Sequence, residues 1–466
     1  GKLVEVHRNC YLCDKIYHRL TLVIVVILIL AYLLIATEKL TKVNKAAVAV
    51  FAGTVGWILY ICFGTDYVMS QHPSEYTDFL NGAVPTSMAV KEYIAQNVFL
   101  KYVGRAAEIV LFLLATMTIV EILNNNGCFD FIAQLLKTRR SRRLLWALSG
   151  STLIISANLD NLTTTVMMLT MMHKIVPNWR QRLYYGSAIV LAANCGGALT
   201  VIGDPLGLVL WSMGHVTASH YSATMAVPCL VAWLLPTWWL GRSLPERVDT
   251  YWITMPYRGD DTRLNVWQRL LMLFVGIGGL WFIPTFHSIT QLSPFLGAFC
   301  VLSVLWVVNE VMNHKLMNVD EMIQRRVPRV LQYGVIQMML YVMGIMLAVG
   351  VVQETGALAW VTRQWELYVH NPWLTGVLAG LVSTSLDSFA SGISFVALGD
   401  TLGQNNDYWS IIAYATAVGG NILCVGSMSG MALLKAERMR MGWYFRHVGW
   451  KALAGAAVGL VAMYVI

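Results

Sequence analysis

Charge is what this chain has least of. Lysine, arginine, aspartate and glutamate make up 12% of its 466 residues, against roughly a quarter in a soluble domain. No polar stretch long enough for a soluble domain interrupts it beyond about 40 residues, and no catalytic constellation is visible, which argues against a membrane enzyme or receptor. A GxxxxGK[ST] phosphate-binding loop is also missing, which disfavours transport driven by ATP. No lysine or arginine falls inside the membrane core. That disfavours, modestly, a carrier built to bind an anion.

What is present is apolar surface, 57% of the residues. Runs such as Leu20–Ala36, Val266–Phe286 and Leu331–Val352 reach the ~20 residues that cross a bilayer. The chain therefore reads as an all-α polytopic membrane protein. Its net charge of +8 does not imply nucleic acid, because the basic residues sit in short loops. The segments 37–45, 128–143, 174–182, 242–269, 313–329 and 435–451 hold 25 of the 33 lysines and arginines. The intervening loops 65–103, 214–222, 287–290, 353–371 and 403–407 hold few. Basic loops favour the cytoplasm, so both termini are expected outside. Lys2, Arg8, Lys15 and Arg19 sit awkwardly with that, and the first span could instead be a signal-like segment, although it lacks a small-residue cleavage site.

The chain also says the same thing twice. Ser156-Ala-Asn-Leu-Asp160-Asn-Leu-Thr is echoed by Ser383-Thr-Ser-Leu-Asp387-Ser-Phe-Ala. Gly196, Gly197, Gly203 and Gly207 recur with the same spacing as Gly419, Gly420, Gly426 and Gly430. Glycine-broken apolar segments in corresponding halves are the signature of a secondary transporter with its ion site at the repeat interface. Residues 143–176 start and end beside basic clusters, yet carry a polar tip, so they are expected as a re-entrant hairpin. Residues 372–402 are expected to do the same from the other side, with the tip at 383–389. Backbone of this kind is tolerated at depth only where protein or water surrounds it. The resulting scheme has about ten full spans, two hairpins and two broken helices in an inverted repeat. Its segments are 1–45 (N-terminal segment and first span), 46–241 (first repeat), 242–289 (cytoplasmic linker and connecting span) and 290–466 (second repeat).

Asp160 and Asp387 are the leading site candidates, since an ionised carboxylate at mid-membrane costs about 3 kcal/mol unless a partner offsets it. Asp160 followed by Asn161, Thr163 and Thr164 also reads as a helix cap. The two roles are compatible, because a cap at a hairpin tip lies where the ion would be. Asn158, Ser383 and Ser388 flank these tips. The glycine segments, with Pro205 removing a donor, are expected to unwind their spans and free carbonyl oxygens around Thr200, Gly203, Asp204, Gly426 and Ser427. The competing reading is close helix packing through small residues. Glu121, followed by three asparagines, is a candidate for the ion path. Glu108 lies roughly 20 Å from it along the same helix and cannot share its ion. His7, Cys10, Cys13 and His18 have zinc-ligand types, but in a short flanking segment a zinc site is the weaker reading. The other cysteines read as packing residues, and Met441–His447 reads as an interfacial turn.

These motifs resemble the ion transporter superfamily, and within it the NhaD-type sodium/proton antiporters. The match is carried by Ser156 through Thr165, by Ala193-Asn194-Cys-Gly196-Gly197 through Gly203-Asp204, and by Gly419-Gly420 through Gly426-Ser427 to Gly442-Trp443-Tyr444. It covers residues ~104–466. The resemblance implies paired Na+ sites between two hairpins and two broken helices, as in the related dicarboxylate and arsenite carriers. Where the family usually has Asp-Asn-Val-Pro, this chain has Asp387-Ser388-Phe389-Ala390. Where a threonine-rich continuation is usual, it has Asp204-Pro205-Leu206-Gly207.

The expectation is a secondary exchanger of Na+, with Li+ left open, for H+, with Na+ held at Asp160 and Asp204 and no cofactor beyond the exchanged ions. The alternative is a Na+-coupled carrier of a small organic or inorganic anion on the same fold. Partners are small cations and the lipid bilayer, not nucleic acid, with a homodimer left open. The expected setting is a bacterial inner membrane.

Overall fold

The computed structural model describes residues 20–129, 131, 132, 136, 138–248, 264–313, 333–368, 371–399 and 402–465. Among these residues every named element is a helix, and the one extended contact is an isolated bridge between Arg140 and Arg247. Among the described residues eight helices are long and apolar enough to cross a membrane, including Ser87–Asn125, Ala218–Gly241, Val266–Thr290 and Met441–Val465. Leu20–Ala36 is a shorter apolar helix, and Trp179–Ala198 with Pro205–Ser212 forms a further interrupted pair. The protein is an all-α, multi-pass membrane protein. The His7, Cys10, Cys13 and His18 cluster lies outside the described residues.

Several segments expected as loops are ordered. Residues 65–103 contain the helices Gly64–Gln71 and Pro73–Leu80 and the start of Ser87–Asn125. The turn expected at Met441–His447 is helical too: Met441–Tyr444 and a wide turn at Phe445–Gly449 run straight into Trp450–Val465. The aromatic run that suggested a surface turn is partly core, with Tyr444 fully buried and its hydroxyl donating to the Asn421 carbonyl at 2.9 Å.

The chain forms two compact units, each drawing on both halves of the sequence. One comprises Gly1–Val110, Gln337–His370 and Ile393–Asp400. Its core is aromatic: Tyr60 stacks on Tyr67 at 4.7 Å, and Trp57 meets Tyr60 edge-on at 5.4 Å. The other comprises Leu111–Ile336, Asn371–Gly392 and Thr401–Ile466 and holds the polar tips.

Two helix pairs are too short to cross. Ser141–Ser156 and Asn161–Ile175 have 16 and 15 residues, so each spans about 23 Å at ~1.5 Å per residue, short of the ~30 Å hydrocarbon core. Pro372–Ser383 and Ser388–Leu398, with 12 and 11 residues, are shorter still. The first pair breaks because Asp160 turns extended (φ −55°, ψ 138°) and its side chain accepts from the Thr163 amide, restarting the helix. In the interrupted helices the restart is made by Asp204 ahead of Pro205, and by Ser427 ahead of Met428.

The spans break where expected, with Gly203 and Gly426 inside the breaks, but the glycine pairs ahead of them do not unwind. Gly196 and Gly197 stay inside Trp179–Ala198, and Gly419 and Gly420 inside Asp407–Leu423. The unwound residues are 199–204 and 424–427, and the left-handed position in the second break belongs to Cys424 (φ 63°). The glycines serve close approach instead. A Cβ on Gly197 would lie 2.8 Å from the Gly203 carbonyl, and one on Gly420 2.9 Å from that of Gly426. A Cβ on Gly196 would strike the Leu153 carbonyl, and one on Gly419 that of Gly380. Each glycine pair thus seats its helix against the hairpin and the break of its own half.

Candidate functional site

Four helices begin at polar caps in one interior region. Asp160 Oδ2 accepts from the Thr163 amide at 2.9 Å and from the Thr163 hydroxyl at 3.2 Å. Asp204 Oδ2 accepts from the Leu206 amide at 3.1 Å, and its Oδ1 from the Asn161 amide group at 3.1 Å. Asp387 Oδ1 accepts from the Phe389 amide at 3.1 Å. Ser427 Oγ accepts from the Gly430 amide at 3.0 Å. All four residues are buried, and Asp160 and Asp387 both lie within Coulombic reach of Asp204.

The hairpins are pinned to the interrupted helices by matched struts. The Ser156 hydroxyl donates to the Ala193 carbonyl at 2.6 Å, and the Ser383 hydroxyl to the Thr416 carbonyl at 2.6 Å. The Thr200 hydroxyl donates to the Ala157 carbonyl at 2.6 Å while accepting from the Gly203 amide at 3.2 Å. The Ser388 amide donates to the Gly426 carbonyl at 2.8 Å.

Cross-links then join the two halves. Asn194 donates through Nδ2 to Asn421 Oδ1 at 2.8 Å and to Ser427 Oγ at 2.9 Å. The Ser429 hydroxyl donates to the Asn161 carbonyl at 3.2 Å. Among the described residues, three buried oxygens of this region have no hydrogen-bond partner: Asp160 Oδ1, Thr164 Oγ1 and Asn194 Oδ1. Asp160 and Thr164 are four residues apart and share one helix face. A buried acceptor without a donor is costly, and a bound cation or an added proton relieves that cost.

The sequence candidates therefore separate. Asp160, Asn161, Thr163, Thr164, Gly203, Asp204, Asp387, Ser388, Gly426 and Ser427 belong to this region. The hydroxyls of Thr200 and Ser383 are committed to backbone struts, so these two hold geometry. Asn158 turns away: its Oδ1 accepts from the Trp281 indole at 2.5 Å, and its amide group donates to the Ile154 carbonyl at 2.7 Å. It lines a cavity of about 290 Å³ with Thr200, Ser219, Ser222 and Trp281. Glu121 is half-buried in Leu100–Asn125. Among the described residues no group of three or more His, Cys, Asp or Glu side chains could hold a metal ion. Any cation here would draw on carbonyl, hydroxyl and amide oxygens as well.

Asn194, Asn421 and Ser429 were not among the sequence candidates. An asparagine flanks each glycine pair, but in opposite order, Asn194-Cys-Gly-Gly and Gly-Gly-Asn421. Aligning the repeats on their glycines therefore hides the match.

Apolar helices, paired breaks and buried polar caps define a multi-pass membrane transporter. Its sequence matches the citrate transporter family model over residues 32–419, and the chain belongs to that family. It is similar to sodium/proton antiporter 2 of Arabidopsis thaliana, 27% identical over 418 residues covering 86% of this chain and 97% of the relative. Sodium/proton antiporter 1 of the same plant is 30% identical over 366 residues, 77% of this chain and 62% of that longer relative. The Na+/H+ antiporter NhaD of Vibrio parahaemolyticus is 25% identical over 374 residues, covering 74% and 86%. These names agree with the resemblance in the motifs.

Proposed function

We propose that the protein exchanges Na+, or Li+, for H+, and that Asp160 is the carboxyl group for which the two ions compete. The observation that carries this is the asymmetry of Asp160. One oxygen is held by Thr163, while the other is buried with no hydrogen-bond partner among the described residues. Asp204 differs, because both its oxygens already accept hydrogen bonds. One unsatisfied oxygen can be served by a proton or by a cation, but not by both. A proton must leave before the cation enters, so one site gives exchange without a second pathway. Thr164, Asn194 and the carbonyl oxygens near Gly203 would complete the shell, with Asp204 supplying charge alongside.

The four helix starts at the tips each carry about half a positive charge.

The family description and those same helix N-termini, which attract anions, favour a second reading: Na+-coupled uptake of a small anion such as citrate. Against it, all four starts are already occupied by the protein's own caps. Lys451, a buried cation, reaches Ser243 at 3.4 Å and makes none of the bonds at the tips. Vesicles containing the pure protein decide between the two. Na+-dependent collapse of a pH gradient, lost in Asp160→Asn, supports exchange. Citrate accumulation driven by a Na+ gradient, without proton movement, would replace it. The exchanger would work in a bacterial inner membrane, and light scattering of the detergent-purified protein measures whether it is a monomer or a homodimer.

A further inference from the structure

Among the described residues, Lys451 is buried where no carboxylate meets it. It is the second residue of the helix Trp450–Val465 and is 6% exposed, a depth at which a lysine is rarely found unpaired. Its ammonium has three N–H groups to give. One reaches the Ser243 hydroxyl at 3.4 Å, longer than the ~2.7–3.2 Å of an ordinary hydrogen bond. Ser243 is exposed, so the stem of Lys451 is covered while its charged end lies at the protein's edge.

The helix Ala218–Gly241 ends beside it. Two glycines seat these helices together: a Cβ on Gly455 would lie 2.9 Å from the Pro236 ring, and one on Gly459 2.7 Å from the Pro228 carbonyl. At this end Trp239 meets Trp450 edge-on at 4.2 Å. Arg242, the residue after the helix, lies 3.8 Å from the centre of the Trp238 ring. It is exposed and has no carboxylate partner among the described residues. Two full cations thus stand at a helix C-terminus whose own charge is about minus one half, which leaves positive charge over. Behind Arg242 the same helix shows an apolar stripe. Val227, Leu230, Leu234 and Trp238 are between 36% and 51% exposed. Their spacing of three or four residues puts them on one helix face, and the stripe ends at Arg242.

We propose that Lys451 and Arg242 bind the phosphate group of an anionic phospholipid, with the Ser243 hydroxyl donating to it and an acyl chain lying along the stripe from Trp238 to Val227. A basic pocket between membrane helices supplies what such a headgroup requires, positive charge and N–H donors. The ammonium acts as a point charge, and the guanidinium adds a planar fork of donors. The exposed indoles of Trp238 and Trp450 suit the headgroup level, where amphipathic rings collect. Free phosphate would meet the same donors but leave the stripe unused. The stripe spans about 16 Å at ~1.5 Å per residue, close to half of the ~30 Å hydrocarbon core, so it matches the chain of one leaflet. Residues 242–269 and 435–451 are among the basic segments expected in the cytoplasm, which assigns the lipid to the inner leaflet. The site is independent of which ion is carried.

The test follows thermal unfolding of the full chain in detergent while phosphatidylglycerol, phosphatidylcholine or inorganic phosphate is added. Phosphatidylglycerol should raise the melting temperature saturably, and the net-neutral phosphatidylcholine and inorganic phosphate should not. Lys451→Met, which keeps the buried stem, and Arg242→Gln should each weaken apparent phosphatidylglycerol affinity by about tenfold, the scale of one charged hydrogen bond. Lys451→Arg should stay within about threefold, since the charge remains. Arg180→Gln removes an exposed cation on another helix and should change affinity by less than about twofold. A loss from Arg180→Gln equal to that from Lys451→Met means general attraction between charges and overturns the site. Undiminished affinity in both Lys451→Met and Arg242→Gln overturns it as well. Should Lys451→Met fail to fold, Arg242→Gln, at an exposed position, decides alone. If inorganic phosphate stabilises as well as the lipid, and loses its effect in Arg242→Gln, the site takes free phosphate and the lipid assignment falls.

Discussion

At the first interrupted helix Asp204 caps the restart through the Leu206 amide and also receives the amide group of Asn161. At the second, Ser427 caps the restart through the Gly430 amide and receives the amide group of Asn194. The frames correspond closely: glycine pairs against hairpins, serine struts to a carbonyl at 2.6 Å, and breaks of similar length. The furnishings do not. The first half offers Asp160, Asn161 and Asp204 where the second offers Asp387, Ser388 and Ser427. Backbone approach therefore tolerates little variation, while the charge placed on the frame is free to differ between halves. The first half should govern the ion and the second should chiefly hold the frame.

The sharpest test of that division is Asp160→Asn. Asparagine can still accept from the Thr163 amide and keep the cap, but it cannot exchange a proton. Exchange in vesicles should fall to background, with yield and gel-filtration profile unchanged. Wild-type rates in this variant would make Asp160 structural.

The frame itself is tested by Gly426→Ala. The added methyl would overlap the Ser383 carbonyl, a backbone atom that cannot swing aside, so destabilisation of about 3 kcal/mol or more is expected. Thermal unfolding in detergent should show it even with Na+ present. A melting temperature within a degree of the parent would mean that the close approach of break and hairpin is dispensable.

A direct contrast between the halves comes from Asp204→Asn and Ser427→Ala. Removing the charge at 204 should weaken apparent Na+ affinity by about tenfold. The cap lost at 427 should cost about 1 kcal/mol of stability and change affinity by only about threefold. The Asp204 variant should also show the larger change in its pH profile between pH 6 and 9. If Ser427→Ala moves Na+ affinity more, the dominant site belongs to the second half.

The smallest effect is expected from Asn158→Ala. Its side chain is tied to Trp281 and Ile154, not to the caps, so Na+ affinity should stay within about twofold. A tenfold loss would move the cation path to the cavity side of the hairpin tip.

Much of this was legible in the sequence because hydropathy and spacing are local. Long apolar runs have few outcomes other than membrane helices, and an Asp-Asn-x-Thr tip between two of them marks a helix restart at depth. Asp160, Asp204 and the doubled breaks could be read that way. The turn expected at Met441–His447 failed because aromatic residues next to basic ones suit an interface or a packed helix equally. Whether Tyr444 meets lipid or Asn421 is decided by helices far away in the chain.

The sequence by itself determined that this is a multi-pass helical transporter with two matching polar interruptions, because apolar length, glycine spacing and buried aspartates carry that meaning wherever they occur. Only the tertiary structure decided that the glycines seat one backbone against another, that Thr200 and Ser383 spend their hydroxyls on struts, and that Asn158 faces away. It also joined Asn194 to Asn421, 227 residues apart, and Lys451 to Ser243. The physical reason is direction: composition says which groups must find partners, but the crossing of packed helices determines which groups meet.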